Sequence, residues 1–117
     1  MATKKISIII PVHNREDTIL RCVSSVLSCD TDHLEVVVVD DQSTDKTLSI
    51  LQSVHDKRLQ TFQLEHKGNA NVARNRGALE ASGTILVFLD SDDTFKPQRI
   101  AKVLTEFEDG EAGIRLD

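Results

Sequence analysis

Asp90-Ser91-Asp92-Asp93 puts three carboxylates into four consecutive positions, directly after the apolar run Thr84-Ile85-Leu86-Val87-Phe88-Leu89. Acids that close repel one another unless a positive charge joins them. A hard divalent cation takes oxygen ligands, and one held by only a few carboxylates keeps positions for phosphate oxygens. The chemistry to expect is metal-dependent binding of a phosphate or a nucleotide. An isolated D-x-D is more often a polar turn in which Asp90 or Ser91 caps the next segment, so the reading depends on where the other polar clusters fall.

They fall after predicted strands. Ile6 to Val12 is a nearly continuous apolar run, as in a strand buried on both faces, and it ends at Pro11-Val12-His13-Asn14. Ile19, Leu20, Val23, Val26 and Leu27 then recur at helical spacing between Glu16 and Ser28, with Asn14 as the expected cap. Leu34 to Val39 repeats the strand and Asp40-Asp41-Gln42-Ser43 follows it, with Ser43 or Thr44 placed to cap a helix carrying Leu48, Leu51 and Val54. Leu59 to Leu64 alternates like an edge strand. Gly68-Asn69-Ala70-Asn71 leads into a helix from about Val72 to Ala81, which Gly83 is expected to end in a left-handed conformation. After the fourth strand, Thr84 to Leu89, Pro97 opens a helix with Ile100, Val103, Leu104 and Phe107; the tail from Glu108 is polar and is given no element. These units predict one α/β domain over residues 1–117, a three-layer Rossmann-like open parallel sheet of strand order 3-2-1-4.

In such a sheet, ligands bind outside the carboxyl ends of the strands, where the strand order reverses. Asp40, Asp41, Asp90, Asp92 and Asp93 should all converge there, whereas turn chemistry alone would scatter acids over both ends. Asp41, or Asp40 in its place, can accept a hydrogen bond from a nucleobase N–H or a ribose hydroxyl. Arg74 and the open amides of the third helix can face a diphosphate. Two arginines two positions apart do not share a helix face. Arg74, between the small residues Ala73 and Gly77, is the one expected in the site, and Arg76 is expected in solvent.

Composition excludes other classes. A net charge of −5, with no Trp, no Tyr and four Phe, offers nucleic acid neither a basic field nor a stacking platform. Cys22 and Cys29 lie about two helical turns apart, ~10 Å, too far for a disulfide. With His13, His33, His55 and His66 they make no zinc pattern. Met1 to Lys5 reads as neither signal nor anchor, so a cytoplasmic location is expected, peripheral at the inner membrane face at most. A dinucleotide-binding turn would need G-x-G-x-x-G after the first strand, and none is present.

Taken together, Ile9-Ile10-Pro11-Val12-His13-Asn14, Val38-Val39-Asp40-Asp41-Gln42-Ser43-Thr44-Asp45, Gly68 with Ala73-Arg74-Asn75-Arg76-Gly77, and Phe88-Leu89-Asp90-Ser91-Asp92-Asp93 resemble the nucleotide-binding half of the family 2 glycosyltransferases with the GT-A fold. The match covers nearly the whole chain. The resemblance implies a nucleoside diphosphate sugar, a UDP-sugar in preference, held by Pro11, His13, Asn14, Asp40, Asp41, Arg74 and Asp92. It implies Mn²⁺ or Mg²⁺ at Asp90, Asp92 and Asp93, neutralising the leaving diphosphate as a Lewis acid. It further implies inverting transfer to a hydroxyl of a glycan or lipid-linked acceptor, activated by a carboxylate base. His13 stands where the family commonly has Tyr, and Gln42 where it commonly has Gly. No catalytic base is identified here, and the chain reads as a truncated GT-A fold without the acceptor-binding half. Strand four would then be an exposed edge through which a homodimer is expected.

Two rivals remain. Val87-Phe88-Leu89-Asp90-Ser91-Asp92-Asp93-Thr94 also fits the strand-D-x-D-x-T pattern of haloacid-dehalogenase-type phosphatases, with Asp90 as nucleophile and Asp92 as acid/base. That family opens its fold with this strand and needs a lysine and further acids downstream, which a short helix and a tail do not supply. The other rival is a non-catalytic module that binds a nucleotide or a partner.

Overall fold

A computed structural model describes residues 5–99 and 102–103, together with the backbone of residues 113–116. The two apolar runs form β1 (Ile6–Val12) and β2 (Leu34–Asp40), buried almost without interruption. They lie side by side, Ile6 opposite Leu34 and Val12 opposite Asp40. β3 (Leu59–Gln63), half exposed, flanks β2, and β4 (Ile85–Phe88) flanks β1 on the other side. All these pairs are parallel, in the expected order 3-2-1-4.

The sheet continues one strand further than expected. β5 (Gly113–Leu116) runs parallel to β4, pairing Ile85 with Gly113 and Phe88 with Leu116. Strand four is therefore not an open edge, and the dimer expected through it loses its basis. Sequence pattern missed β5 because Gly113-Ile114-Arg115-Leu116 is too short and mixed to show periodicity.

Side chains alternate across each strand. Ile6, Ile8, Ile10 and Val12 therefore point to one face, where α1 (Ile19–Leu27) packs Ile19, Cys22, Val23 and Val26 on them and α2 (Thr47–Gln52) adds Leu51. Ile9, Val37 and Val39 point to the other face and meet Ala73 of α3 (Ala70–Glu80). Helices on both faces make the three layers. Gly77 lets α3 lie against β1, since a Cβ there would stand 2.5 Å from Ile9 Cγ2. Residues 98–99 and 102–103 are helical and Val103 is buried in the α1 core, while Ile100, Leu104 and Phe107 of the expected last helix lie outside the described residues.

The amino-terminal end of the sheet is closed by a satisfied polar network. Buried Glu35 accepts from Ser7 Oγ at 2.6 Å, from Ser82 N at 2.6 Å and from Ser82 Oγ at 3.1 Å. Burial raises its pKa, but these donors and Lys5 outweigh it and hold the carboxyl below the usual glutamate value. Gly83 belongs to this network: its N–H donates to Ser7 Oγ at 2.9 Å, and a Cβ would stand 2.4 Å from that oxygen. Its role is this close approach rather than the expected left-handed helix end. α3 ends at Ala81 in extended backbone.

Candidate functional site

A cavity of about 460 Å³ opens at the carboxyl ends of the strands. Pro11 and Val12 line it from the end of β1 and His13 just beyond, Asp41 after β2, and Asp90, Ser91 and Asp92 after β4. The segment from Lys67 to Ala70, with Ala73 and Arg74 of α3, forms the remaining wall. Of the five acids expected to converge, Asp41, Asp90 and Asp92 do so.

The loops after β1 and β2 are locked together. Asn14 has a left-handed φ of 51° and aims its carboxamide oxygen at Thr44 N (2.7 Å) and Asp45 N (3.3 Å). Its own N–H donates to Ser43 Oγ at 2.9 Å. Asn is among the few side chains that adopt this conformation cheaply. Neither Asn14 nor Ser43 and Thr44 caps a helix, contrary to expectation: α1 starts after Thr18 and α2 after Lys46, both without a side-chain cap. Gln42 is also left-handed, at φ 55°, the conformation that the Gly common in the family would adopt freely, and its carboxamide N–H donates to Leu64 O.

His13 Nδ1 lies 2.7 Å from the Asp41 carbonyl, which only accepts, so Nδ1 carries the hydrogen of that contact. The ring is thereby fixed along the cavity wall.

The two neighbouring aspartates of β2 and its loop have different surroundings. Asp40 is fully buried; its carboxylate accepts from Ser43 N, Ser43 Oγ and Gln63 Nε2 and does not line the cavity. It turns the chain. Asp41 does line the cavity, with Oδ1 accepting Gly68 N–H at 2.8 Å and Oδ2 accepting from Lys67 Nζ at 2.8 Å. Burial raises its pKa, but the Gly68 amide and the Lys67 ammonium prevail and hold it below the ordinary aspartate value.

Across the cavity, Arg74 Nη2 lies 3.6 Å from Asp90 Oδ1 and Arg74 Nη1 donates to Asn71 Oδ1 at 3.1 Å. Arg76 is elsewhere, paired with Glu80 at 3.7 Å and stacked 5.4 Å from the Phe62 ring centre, so it is neither in the site nor simply solvated. Asn69 caps α3 by accepting from Val72 N at 3.0 Å, which consumes one of the amides expected to stay open.

The acidic loop rests on α1. Thr18 Oγ1 donates to Ser91 O at 3.1 Å, Cys22 Sγ to Asp90 O at 3.4 Å, and Phe95 N donates to Ser25 Oγ at 2.8 Å. The Cys22 thiol is pushed up to about 12, first by burial and then by the nearby Asp93, Asp92 and Asp90. Cys22 and Cys29 are both buried and unpaired.

Among the described residues no three His, Cys, Asp or Glu side chains gather as a metal cage. Asp93 stands apart from the cavity, its Oδ1 accepting Thr94 N–H at 2.9 Å. Asp90 and Asp92, both exposed and both lining the cavity, are the donor set that fits a divalent ion. Mg²⁺-like ions are commonly held by one or two carboxylates, with waters and phosphate oxygens completing the shell.

Two cationic residues escaped sequence reasoning: Arg15 and Lys67 also line the cavity. Each adjoins one of the polar clusters that follow the strands, Arg15 after Asn14 and Lys67 before Gly68. What was missing was the fold of the loops, which decides where a long exposed side chain reaches.

Comparisons with known proteins agree with this geometry. The family model "Glycosyl transferase family 2" matches residues 7–116. TuaG of Bacillus subtilis is 42% identical over 101 residues, 85% of this chain and 40% of that protein. The succinoglycan biosynthesis protein ExoO of Rhizobium meliloti is 33% identical over 112 residues, 96% of this chain and 32% of that protein. The crystal structure of S. aureus TarS 1–349 in complex with UDP superimposes with a TM-score of 0.78 at 35% identity, covering 88% of this chain and 32% of that one. The chain thus spans less than half the length of each of these relatives, and its Rossmann-like sheet is the corresponding portion of the GT-A fold. It belongs to glycosyl transferase family 2.

Proposed function

We propose that the cavity binds a nucleoside diphosphate sugar, a UDP-sugar in preference, as the donor site of a glycosyltransferase. The observation that carries this reading is the arrangement of one cavity: a fixed wall of Pro11, His13 and Asp41 at one side, and Arg74 with the Asp90–Asp92 loop at the other. Its volume of about 460 Å³ lies in the range that takes a ligand of this size. The UDP bound in the similar TarS structure supports the choice of base.

In this reading the base lies against Pro11 and His13, and Asp41, oriented by Gly68, accepts a base N–H or a ribose hydroxyl. Arg74 and Lys67 face the diphosphate. Asp90 and Asp92 would hold Mn²⁺ or Mg²⁺, which when bound supplies Lewis-acid stabilisation of the leaving diphosphate. Asp40 and Asn14 act one step back, by shaping the loops that carry Asp41 and His13. The sugar then passes, with inversion, to a hydroxyl of a glycan or lipid-linked acceptor; the activating base is assigned to no described residue. The reduced, buried thiols suit a cytoplasmic location, at the inner membrane face where a lipid-linked acceptor would be met. No described helix is long and apolar enough to cross a membrane.

Calorimetric titration of UDP and of GDP, with and without Mn²⁺, tests the proposal. Metal-dependent binding with UDP preferred over GDP is expected. A folded chain that binds neither nucleotide would overturn it.

A further inference from the structure

α1 and its N-cap residue present polar side chains at positions 18, 22 and 25, a spacing that stacks them along one side of a helix. All three reach the same target. Thr18 Oγ1 donates to the Ser91 carbonyl at 3.1 Å, Cys22 Sγ donates to the Asp90 carbonyl at 3.4 Å, and Ser25 Oγ accepts the Phe95 N–H at 2.8 Å. The Ser25 hydroxyl also donates to Cys22 O at 2.6 Å, so its lone pair is aimed at Phe95.

Thr18 makes the arrangement informative. It is the residue at the N-cap of α1, where a threonine hydroxyl ordinarily accepts from the first turn of its own helix. Here it makes no such bond and is turned to the acidic loop instead. A local preference given up without local return is the mark of a constraint set by a site. The buried face of α1, which meets β1 through Ile19, Val23 and Val26, anchors the ladder to the sheet.

We propose that Thr18, Cys22 and Ser25 are positioning residues that fix the backbone of residues 90–95, and through it the carboxylates of Asp90 and Asp92, for ligand binding. The inference rests on the reading of the cavity as a nucleoside diphosphate site. It adds that affinity depends on a helix that does not line the β3–α3 side of that site at all. The three hydrogen bonds engage only backbone atoms of the loop and neither carboxylate, so Asp92 and Asp90, the latter 3.6 Å from Arg74, keep oxygens open to a cation.

The test is calorimetric titration of UDP with Mn²⁺ into the wild-type chain, Thr18→Val, Cys22→Ala and Ser25→Ala, with Thr18→Ser and Cys22→Ser as conservative partners. Thermal melts establish that each variant is folded at the titration temperature. Each donor or acceptor deletion is expected to weaken UDP by about three- to tenfold, as loss of a single hydrogen bond would. The two serine variants should bind close to wild type. Hydrogen exchange at the Phe95 amide should accelerate in Ser25→Ala before any ligand is added. Folded deletion variants that bind UDP like a binding-competent wild type would overturn the inference while leaving the donor site intact. A wild-type chain that does not bind UDP would overturn the donor-site reading, and this inference with it.

Discussion

Asp41 Oδ1 accepts the Gly68 N–H at 2.8 Å, which ties the loop after β2 to the loop entering α3 across the floor of the cavity. One carboxylate thus shapes the site and also faces into it. Asp41→Ala is expected to cost about 1–3 kcal/mol of stability by leaving the Gly68 amide unpaired, and to weaken UDP binding. Chemical denaturation and titration on the same samples measure both.

The same carboxylate gives a pH dependence of definite sign. Its folded pKa lies below the ordinary value, so the unfolded chain binds the proton more readily. The resulting stability is present above about pH 4 and is lost as pH falls through the folded pKa. Glu35, where hydrogen bonds from Ser7 and Ser82 outweigh burial, and Asp56, held low first by its hydrogen bonds with Arg58, act in the same direction. Denaturation midpoints measured from pH 6 down to pH 3 should fall, and the fall should be shallower in Asp41→Asn.

The order of the sheet and the position of the cavity were legible in the sequence because buried parallel strands are continuous apolar runs and each polar cluster follows one. What resisted reading was loop geometry. Asn14 and Ser43 look like caps, yet they bond to each other's loops, a pairing of residues 29 apart that no local pattern encodes. Asp40 and Asp41 are adjacent and chemically identical, yet Ser43 and Gln63 take up the buried Asp40 carboxylate while Asp41 faces the cavity. Gly83 reads as a helix stop, but its neighbour in space is Ser7, 76 residues away.

Cys22 should be chemically silent in the native state. Burial and the nearby aspartates push its pKa up to about 12, so the thiol stays protonated at pH 8, and the side chain has no exposed surface. Cys29, also raised by burial, is 6% exposed. Labelling with a thiol reagent at pH 8 should be slow for both cysteines and should become rapid only with unfolding.

Gly77 allows the close contact of α3 with β1, which holds Arg74 over the cavity. Gly77→Ala would place a methyl 2.5 Å from Ile9 Cγ2. The expected cost is about 1–3 kcal/mol from overpacking, accompanied by weaker UDP binding as α3 moves outward. Thermal melts and titration would register the two effects.

Arg58 provides the control. At the end of the sheet away from the cavity, it donates to Leu27 O at 2.7 Å, Cys29 O at 2.7 Å and Thr31 O at 3.0 Å, and pairs with Asp56 at 3.0 Å. Arg58→Ala should lower stability by about 2–3 kcal/mol through these lost charge-assisted bonds. UDP affinity of the folded fraction should stay unchanged, in contrast to the cavity variants.

The most direct test of the donor-site account is an amide chemical-shift titration of the labelled chain with UDP in the presence of Mg²⁺. Perturbations confined to the cavity, at Val12, His13, Asp41, Gly68, Ser91 and Asp92, are the predicted result. Shifts centred instead on Lys5, Glu35 and Arg58 at the opposite end of the sheet, or no shifts at millimolar UDP, would contradict it.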